Sequence, residues 1–165
     1  MNLREIFEKR KSIRKFTGEP IKEDQIKLIM EAAQIAPSAS NRQPYKFIVI
    51  KNDEFKKVFR KKAVPQRFIE KAAVIFVALG NKKEADYFYK VDIGIAVQYM
   101  ALQAAELGLG SCWMGAIKRD ELRELLNVPK DWEVVAILPV GVPGQDPPAR
   151  PRKSLDELFV NDSFQ

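Results

Sequence analysis

The stretch from Val91 to Leu107 constrains the fold of this chain more than any other segment. Its apolar residues surround a helix instead of forming one stripe, so a helix here must be enclosed on nearly all sides and serve as the spine of the domain. With 165 residues, 46% of them apolar, the chain has the material for such a core, and its length suits a single domain over residues 1–165. Asp92, Gln98, Gln103 and Glu106 interrupt the stretch, which falls short of the roughly 20 apolar residues needed to span a bilayer. The expectation is a soluble protein without membrane contact. The opening Met1-Asn2-Leu3-Arg4-Glu5 enters a charged amphipathic stretch in place of an apolar signal segment, which points to the cytoplasm.

Other segments supply partners for the spine. Phe47-Ile48-Val49-Ile50 and the run Ala73 to Leu79 are continuously apolar, the pattern of strands covered on both faces, and the first is expected to be central. Trp132 to Gly141 reads as a further strand. Leu3, Ile6 and Phe7 recur at helical spacing, and a second helix is expected from Lys22 to Ile35 with Ile26, Ile29, Met30 and Ala33 on one face. Asp53 is positioned to cap a short helix that turns Phe55, Val58 and Phe59 towards a core, and Asp120 to cap another through Leu126. Gly108 and Gly110 are expected to end the spine in left-handed geometry. Pro37 to Pro44 is a loop by composition. Four of the ten prolines lie between Pro143 and Pro151, so Gly144 to Lys153 should run extended over a surface into a short tail, an arm covering about residues 143–165. Helices and strands in mixed order predict an α+β sandwich with helices on both faces of a sheet.

The chain contains no histidine, which removes Ser-His-Asp and Cys-His nucleophile pairs and HExxH zinc sites. Cys112 is the only cysteine, so an intrachain disulfide and multi-thiolate metal sites are excluded, and it reads as a small buried hydrophobe. No metal is expected. With protein groups this limited, a borrowed cofactor becomes the leading source of chemistry. The net charge of +6 favours anionic partners without choosing among them. One competing reading is a nucleic-acid module built on Lys56, Lys57, Arg60, Lys61, Lys62, Arg67 and Lys71 with interleaved Phe55, Phe59 and Phe68. Against it, Phe55 and Phe59 share a helical stripe, whereas stacking on bases needs exposed rings.

Arg10, Ser12 and Arg14 form an Arg-x-Ser-x-Arg spacing. In an extended segment these side chains project to one side, where guanidinium forks and a hydroxyl suit a phosphate; in a helical setting they are a solvated basic helix end. Arg150 and Arg152 repeat the spacing near the other end. Four blocks together, Arg10-Lys11-Ser12-Ile13-Arg14-Lys15-Phe16, Ala36-Pro37-Ser38-Ala39-Ser40-Asn41-Arg42-Gln43-Pro44, Gly108-Leu109-Gly110-Ser111-Cys112-Trp113-Met114-Gly115 and Arg150-Pro151-Arg152-Lys153, resemble in order and spacing the signatures of the FMN-dependent nitroreductase family, of which this would be a compact member.

The resemblance implies a three-layer sandwich whose mixed, mostly antiparallel sheet is flanked by helices, in a swapped homodimer with FMN in clefts at the interface. It implies that Arg10, Lys11, Ser12, Arg14, Arg150, Arg152 and Lys153 hold the phosphate and ribityl chain. Asn41 and Gln43 would meet the polar edge of the flavin, while Pro37, Ser38, Ala39 and Ser40 approach from the partner subunit. Trp113 would shape the wall, and Met114 and Gly115 would present backbone N–H groups to the ring. No catalytic side chain is implied, since flavin N5 carries the chemistry. NAD(P)H would be a transient co-substrate and a nitroaromatic, quinone or similar small molecule the acceptor in a ping-pong cycle. Similar folds support reductive dehalogenation and flavin breakdown, which need residues over the ring; here only Tyr87, Phe88 and Tyr89 in the short connection after Gly80 offer such a wall, or else serve as core anchors. The Gly108-x-Gly110 spacing does not make a Rossmann site, because Trp113 stands where glycine or alanine is required and the segment follows a helix.

Overall fold

The computed structural model describes residues 2–164. Its helices are α1 (Leu3–Lys9), α2 (Glu23–Gln34), α3 (Asp53–Ala63), α4 (Tyr89–Glu106), α5 (Arg119–Leu125) and α6 (Leu155–Leu158). The strands β1 (Tyr45–Ile50), β2 (Val74–Asn81), β3 (Gly110–Ser111) and β4 (Trp132–Gly141) form one sheet in the order β1-β2-β4-β3, antiparallel throughout. Among the described residues parallel pairing enters only as the bridge between Ser12 and Ser111.

Side chains alternate across this sheet and build two cores. Val74, Phe76 and Ala78 of β2 pack with α2 and α4, whereas Ile75, Val77 and Leu79 pack with α3, α5 and the N-terminal residues Ile13 and Phe16. The α+β sandwich with helices on both faces is therefore the observed architecture. The spine helix starts at Tyr89, two residues before the expected Val91, and Ile93, Ala96, Val97, Met100, Ala101 and Ala104 are buried along it. Gly80 leaves room for the Tyr89 ring, which a side chain there would overlap. Tyr89 is thus the core anchor of its aromatic run, while Tyr87 and Phe88 are exposed.

Several expectations are corrected. The strand of Phe47 to Ile50 is not central: β1 is an edge strand that pairs only with β2. An apolar run reports cover on both faces but carries no information about neighbours along the hydrogen-bonding direction. Met30 is 46% exposed, because it sits at the rim of the α2 stripe, where it borders an open cleft with Tyr45, Phe47 and Met100. Val58 is likewise exposed although Phe59 is fully enclosed. Asn52, not Asp53, caps α3, its side-chain oxygen accepting the Phe55 N–H at 2.8 Å. Asp120 lies inside the first turn of α5, which begins after Lys118, where its charge still complements the helix dipole. Gly108, at φ 74°, ends α4 as expected, but Gly110 is in β3; a Cβ there would stand 2.8 Å from Ile13 Cγ1.

The C-terminal arm leaves β4 beside the N-terminal segment. Thr17 N–H donates to the Val142 carbonyl at 3.0 Å and Gly144 N–H to the Lys15 carbonyl at 2.8 Å. Beyond that the chain runs irregularly to Ser154, which caps the single turn of α6. No helix among the described residues is long and apolar enough to cross a membrane.

Candidate functional site

The two ends of the chain meet at a basic cleft. After α1 the backbone turns extended at Arg10, with φ −64° and ψ 108°, and Ile13 N–H donates to the Ser111 carbonyl at 2.9 Å. Ile13 is buried, and its neighbours Ser12 and Arg14 face the other way, into a cleft, as alternate spacing in an extended segment provides. The helix-end reading holds only for Arg10, the C-cap residue of α1, whose N–H donates to the Ile6 carbonyl; Ser12 and Arg14 lie beyond the helix. Arg10, Ser12, Arg14, Arg150 and Arg152 all line one cleft of about 660 Å³. Among the described residues none of these arginines is ion-paired, whereas Arg4 and Lys11 at the same cleft are bound to Glu8 at 2.7 Å and Asp146 at 2.6 Å. Unpaired guanidinium groups around a concavity, with a hydroxyl among them, fit a phosphate by charge and by hydrogen-bonding geometry. Lys153 does not line this cleft.

Cys112 lies beneath this segment, 2% exposed. Burial pushes its thiol pKa up, partly countered by the Arg14 guanidinium, the Ser12 hydroxyl and Arg10. It is a neutral, enclosed thiol, in line with its reading as a small hydrophobe.

The loop over 37–43 lies apart from the arginine cleft, which none of its residues lines. Ala39–Asn41 forms a single 3-10 turn, and Ser40, Asn41 and Gln43 are left-handed at φ 52°, 56° and 51°. Inside the loop, Gln43 N–H donates to Ser38 Oγ at 3.0 Å and Gln43 Nε2 to the Asn41 carbonyl at 3.0 Å. Towards the core, Ala39 N–H donates to Asp92 Oδ1 at 3.0 Å. Asp92 was visible in the sequence only as an interruption of an apolar helix; its position in the first turn of that helix was the available signal.

Met114 is buried, and its backbone exchanges two hydrogen bonds of 3.0 Å with Ile137. Its N–H is therefore not available to a ligand, contrary to expectation: the irregular segment after β3 still pairs with β4. Gly115 differs, since its N–H meets no acceptor among the described residues while its carbonyl accepts from Arg119 Nη2 at 3.2 Å. Trp113 is 45% exposed beside it, its ring 3.7 Å from where a Gly115 Cβ would stand.

The basic segment near α3 spends part of its charge within the protein. Lys56 is 3% exposed and donates to the Ala72 carbonyl at 2.5 Å while pairing with Asp53 at 2.7 Å. Arg60 pairs with Glu70 at 2.6 Å and Lys57 with Glu54 at 2.7 Å. Three of the seven basic side chains of the segment are thus paired with acids, which lowers the charge it offers to a polyanion.

Comparison with known proteins gives the same direction along most of the chain. A relative in Archaeoglobus fulgidus, named NADH dehydrogenase/NAD(P)H nitroreductase, is 33% identical over 141 residues, covering 81% of this chain and 81% of that one. A nitroreductase family protein of Clostridium difficile 630 superposes with a TM-score of 0.90 at 28% identity, over 99% of this chain and 100% of the other. An FMN-dependent nitroreductase of Clostridium difficile R20291 superposes with a TM-score of 0.86 at 29% identity, over 96% and 98%. The description of the Nitroreductase family matches residues 7–65 and 51–142, which take in the Arg10–Arg14 segment, the left-handed loop, the buried spine and β4. The chain belongs to the nitroreductase family.

Proposed function

We propose that this chain is an FMN-dependent oxidoreductase passing electrons from NAD(P)H to a nitroaromatic, quinone or similar small acceptor in a ping-pong cycle. It would act in the cytoplasm as a homodimer, with residues 1–165 forming one flavin-binding unit per chain. The observation that carries the reading is the cleft where Arg10, Arg14, Arg150 and Arg152 stand unpaired around Ser12. A chain without histidine and with its one thiol enclosed has no imidazole and no accessible thiolate, which leaves carboxylates, lysines, hydroxyls or a borrowed cofactor to supply chemistry. FMN, when bound, supplies two-electron chemistry with a nicotinamide donor and a separate acceptor.

The residues divide the remaining work. Arg10, Ser12, Arg14, Arg150 and Arg152 bind the phosphate and ribityl chain, with Lys11 and Lys153 contributing positive charge nearby. Asn41 and Gln43 meet the polar edge of the ring, and Pro37, Ser38, Ala39 and Ser40 reach it from the partner subunit. Gly115 offers its free backbone N–H to the ring, and Trp113 and Met114 form the wall behind it. The FMN dependence of the Clostridium difficile R20291 neighbour and the NAD(P)H in the Archaeoglobus relative's name support this assignment.

An absorbance spectrum of freshly purified protein, followed by anaerobic addition of NADH and then NADPH, tests the proposal. Flavin bands that bleach with a pyridine nucleotide are the expected outcome. A colourless protein that takes up no added FMN would sink it.

A further inference from the structure

Asp92 stands in the first turn of α4, an 18-residue helix, and is the only carboxylate enclosed among the described residues, at 2% exposure. Burying a charged carboxylate is expensive unless the charge is used. One oxygen is used: Oδ1 accepts the Ala39 N–H at 3.0 Å. The other, Oδ2, is buried with no hydrogen-bond partner among the described residues. An asparagine or serine could accept one backbone N–H without leaving a charged oxygen unmatched, so the packing of α4 does not account for this residue.

The loop on the far side of that hydrogen bond does account for it. Ser40, Asn41 and Gln43 are all left-handed, and such conformations in residues other than glycine persist only where the surroundings over-determine them. The bonds made by Gln43 tie the turn to itself, whereas the bond from Ala39 to Asp92 ties it to the core. Just beyond the loop, the Tyr45 hydroxyl donates to the Ala36 carbonyl at 3.4 Å; burial, then the nearby charge of Asp92, holds the tyrosine proton more firmly. One bond thus ties the loop to a buried carboxylate, and another joins the residues on either side of the loop.

We propose that Asp92 is a positioning residue of the flavin site: its carboxylate anchors the Ala39–Gln43 turn to the start of α4 and fixes the backbone and amide groups that meet the flavin ring. This rests on the flavin reading above. Asp92 acts through the loop, at the ring end of the flavin, and the arginine cleft serves the phosphate end. Loss of the anchor therefore affects flavins with and without a phosphate alike.

The test is titration of the flavin-free, full-length protein with FMN and with riboflavin, followed by quenching of flavin fluorescence, together with the visible circular dichroism of bound FMN. Asp92→Ala is expected to weaken both flavins by the same factor, about 10- to 100-fold for a lost charge-assisted hydrogen bond, and to change the visible circular dichroism. Asp92→Asn, whose carboxamide oxygen still accepts the Ala39 N–H, restores part of the affinity. Ala39→Pro removes the donor and leaves Asp92 in place. It is compatible with the extended Ser38 before it, at φ −140° and ψ 158°, and is expected to repeat the loss without depending on the folding of Asp92→Ala. Ile69→Val, a fully enclosed change in the other core, lowers the melting temperature but leaves both affinities unchanged, which separates positioning from general destabilisation. If wild-type protein takes up FMN and the Asp92 and Ala39 variants bind both flavins as tightly, the positioning role is wrong and the flavin reading stands. If wild-type protein takes up no FMN, both are wrong.

Discussion

Arg14 shows how much a single side chain can decide in this protein. It projects into the cleft opposite the buried Ile13 and meets no acid among the described residues, so its charge is available to an anion. Replacing it by alanine is expected to weaken FMN by roughly tenfold or more, the scale of one charge-assisted hydrogen bond, and to leave riboflavin unchanged. Lysine in its place would recover only part of the loss, because an ammonium cannot offer a planar fork to two phosphate oxygens. Isothermal titration with the two flavins reads the difference directly; an equal loss for both would place Arg14 away from the phosphate. Gly110 supports the same segment from behind, since a Cβ there would press on three atoms of Ile13 at 2.8–2.9 Å. Gly110→Ala should therefore cost about 1–3 kcal/mol by overpacking, seen as a lower melting temperature. At this scale the sequence was legible where chemistry follows residue type, as in the arginines and Cys112. It was not legible where backbone commitments decide: Met114 and Gly115 look equivalent in sequence, yet only Met114 spends its N–H on Ile137.

Elements are joined at the mouth of the connection between β2 and α4 by Glu133 of β4. Its carboxylate accepts from the Tyr89 hydroxyl at 2.8 Å and pairs with Lys82 and Lys90, each at 3.2 Å. Burial alone would raise the carboxyl pKa, but the Tyr89 hydroxyl and the Lys90 and Lys82 ammonium groups outweigh it and hold the group below its ordinary value. The folded protein therefore binds fewer protons here than the unfolded chain. The stabilisation is present in full above the unfolded value, about 4.3, and is lost as pH falls through the lower folded value. Melting temperatures measured between about pH 6 and pH 3 should fall less steeply for Glu133→Gln than for wild type at the acid end; parallel curves would mean the tie contributes nothing. This junction was invisible in the sequence, because Lys82, Tyr89 and Glu133 belong to separate elements whose contact depends on sheet order. The same limit explains β1. Its apolar run identified a strand, and β2 and the buried α4 were found nearly to the residue, but edge or centre is a property of neighbours. Cap positions failed differently: Asn52 and Asp53 are both capable acceptors, and only the local backbone selects the first.

The whole molecule joins its two ends, and that arrangement bears on its assembly. The arginines of the site come from residues 10–14 and 150–152, brought together because Thr17 and Lys15 hydrogen-bond to Val142 and Gly144 as the arm leaves the sheet. Neither end alone indicated this meeting; it followed from the family resemblance, which linked the blocks before any geometry did. Past the arginines the arm carries Leu155, Leu158, Phe159 and Phe164, which are 73%, 58%, 69% and 94% exposed. On the sheet edge, Met30, Tyr45, Phe47 and Met100 border an open cleft of about 400 Å³. Apolar surface concentrated in this way marks an interaction site rather than a free surface. The proposed homodimer would cover it. Sedimentation equilibrium is expected to give about twice the 18.9 kDa of one chain. Removal of residues 155–165 should yield monomers that fold, since none of the described residues 155–164 is buried, and that bind FMN weakly even though Arg10, Arg14, Arg150 and Arg152 are all retained. The loss would arise because the loop residues Pro37 to Ser40 reach the flavin from the other subunit. A truncated monomer that binds FMN as tightly as the full chain would mean that one chain builds the whole site, and that the exposed apolar arm serves something other than flavin binding.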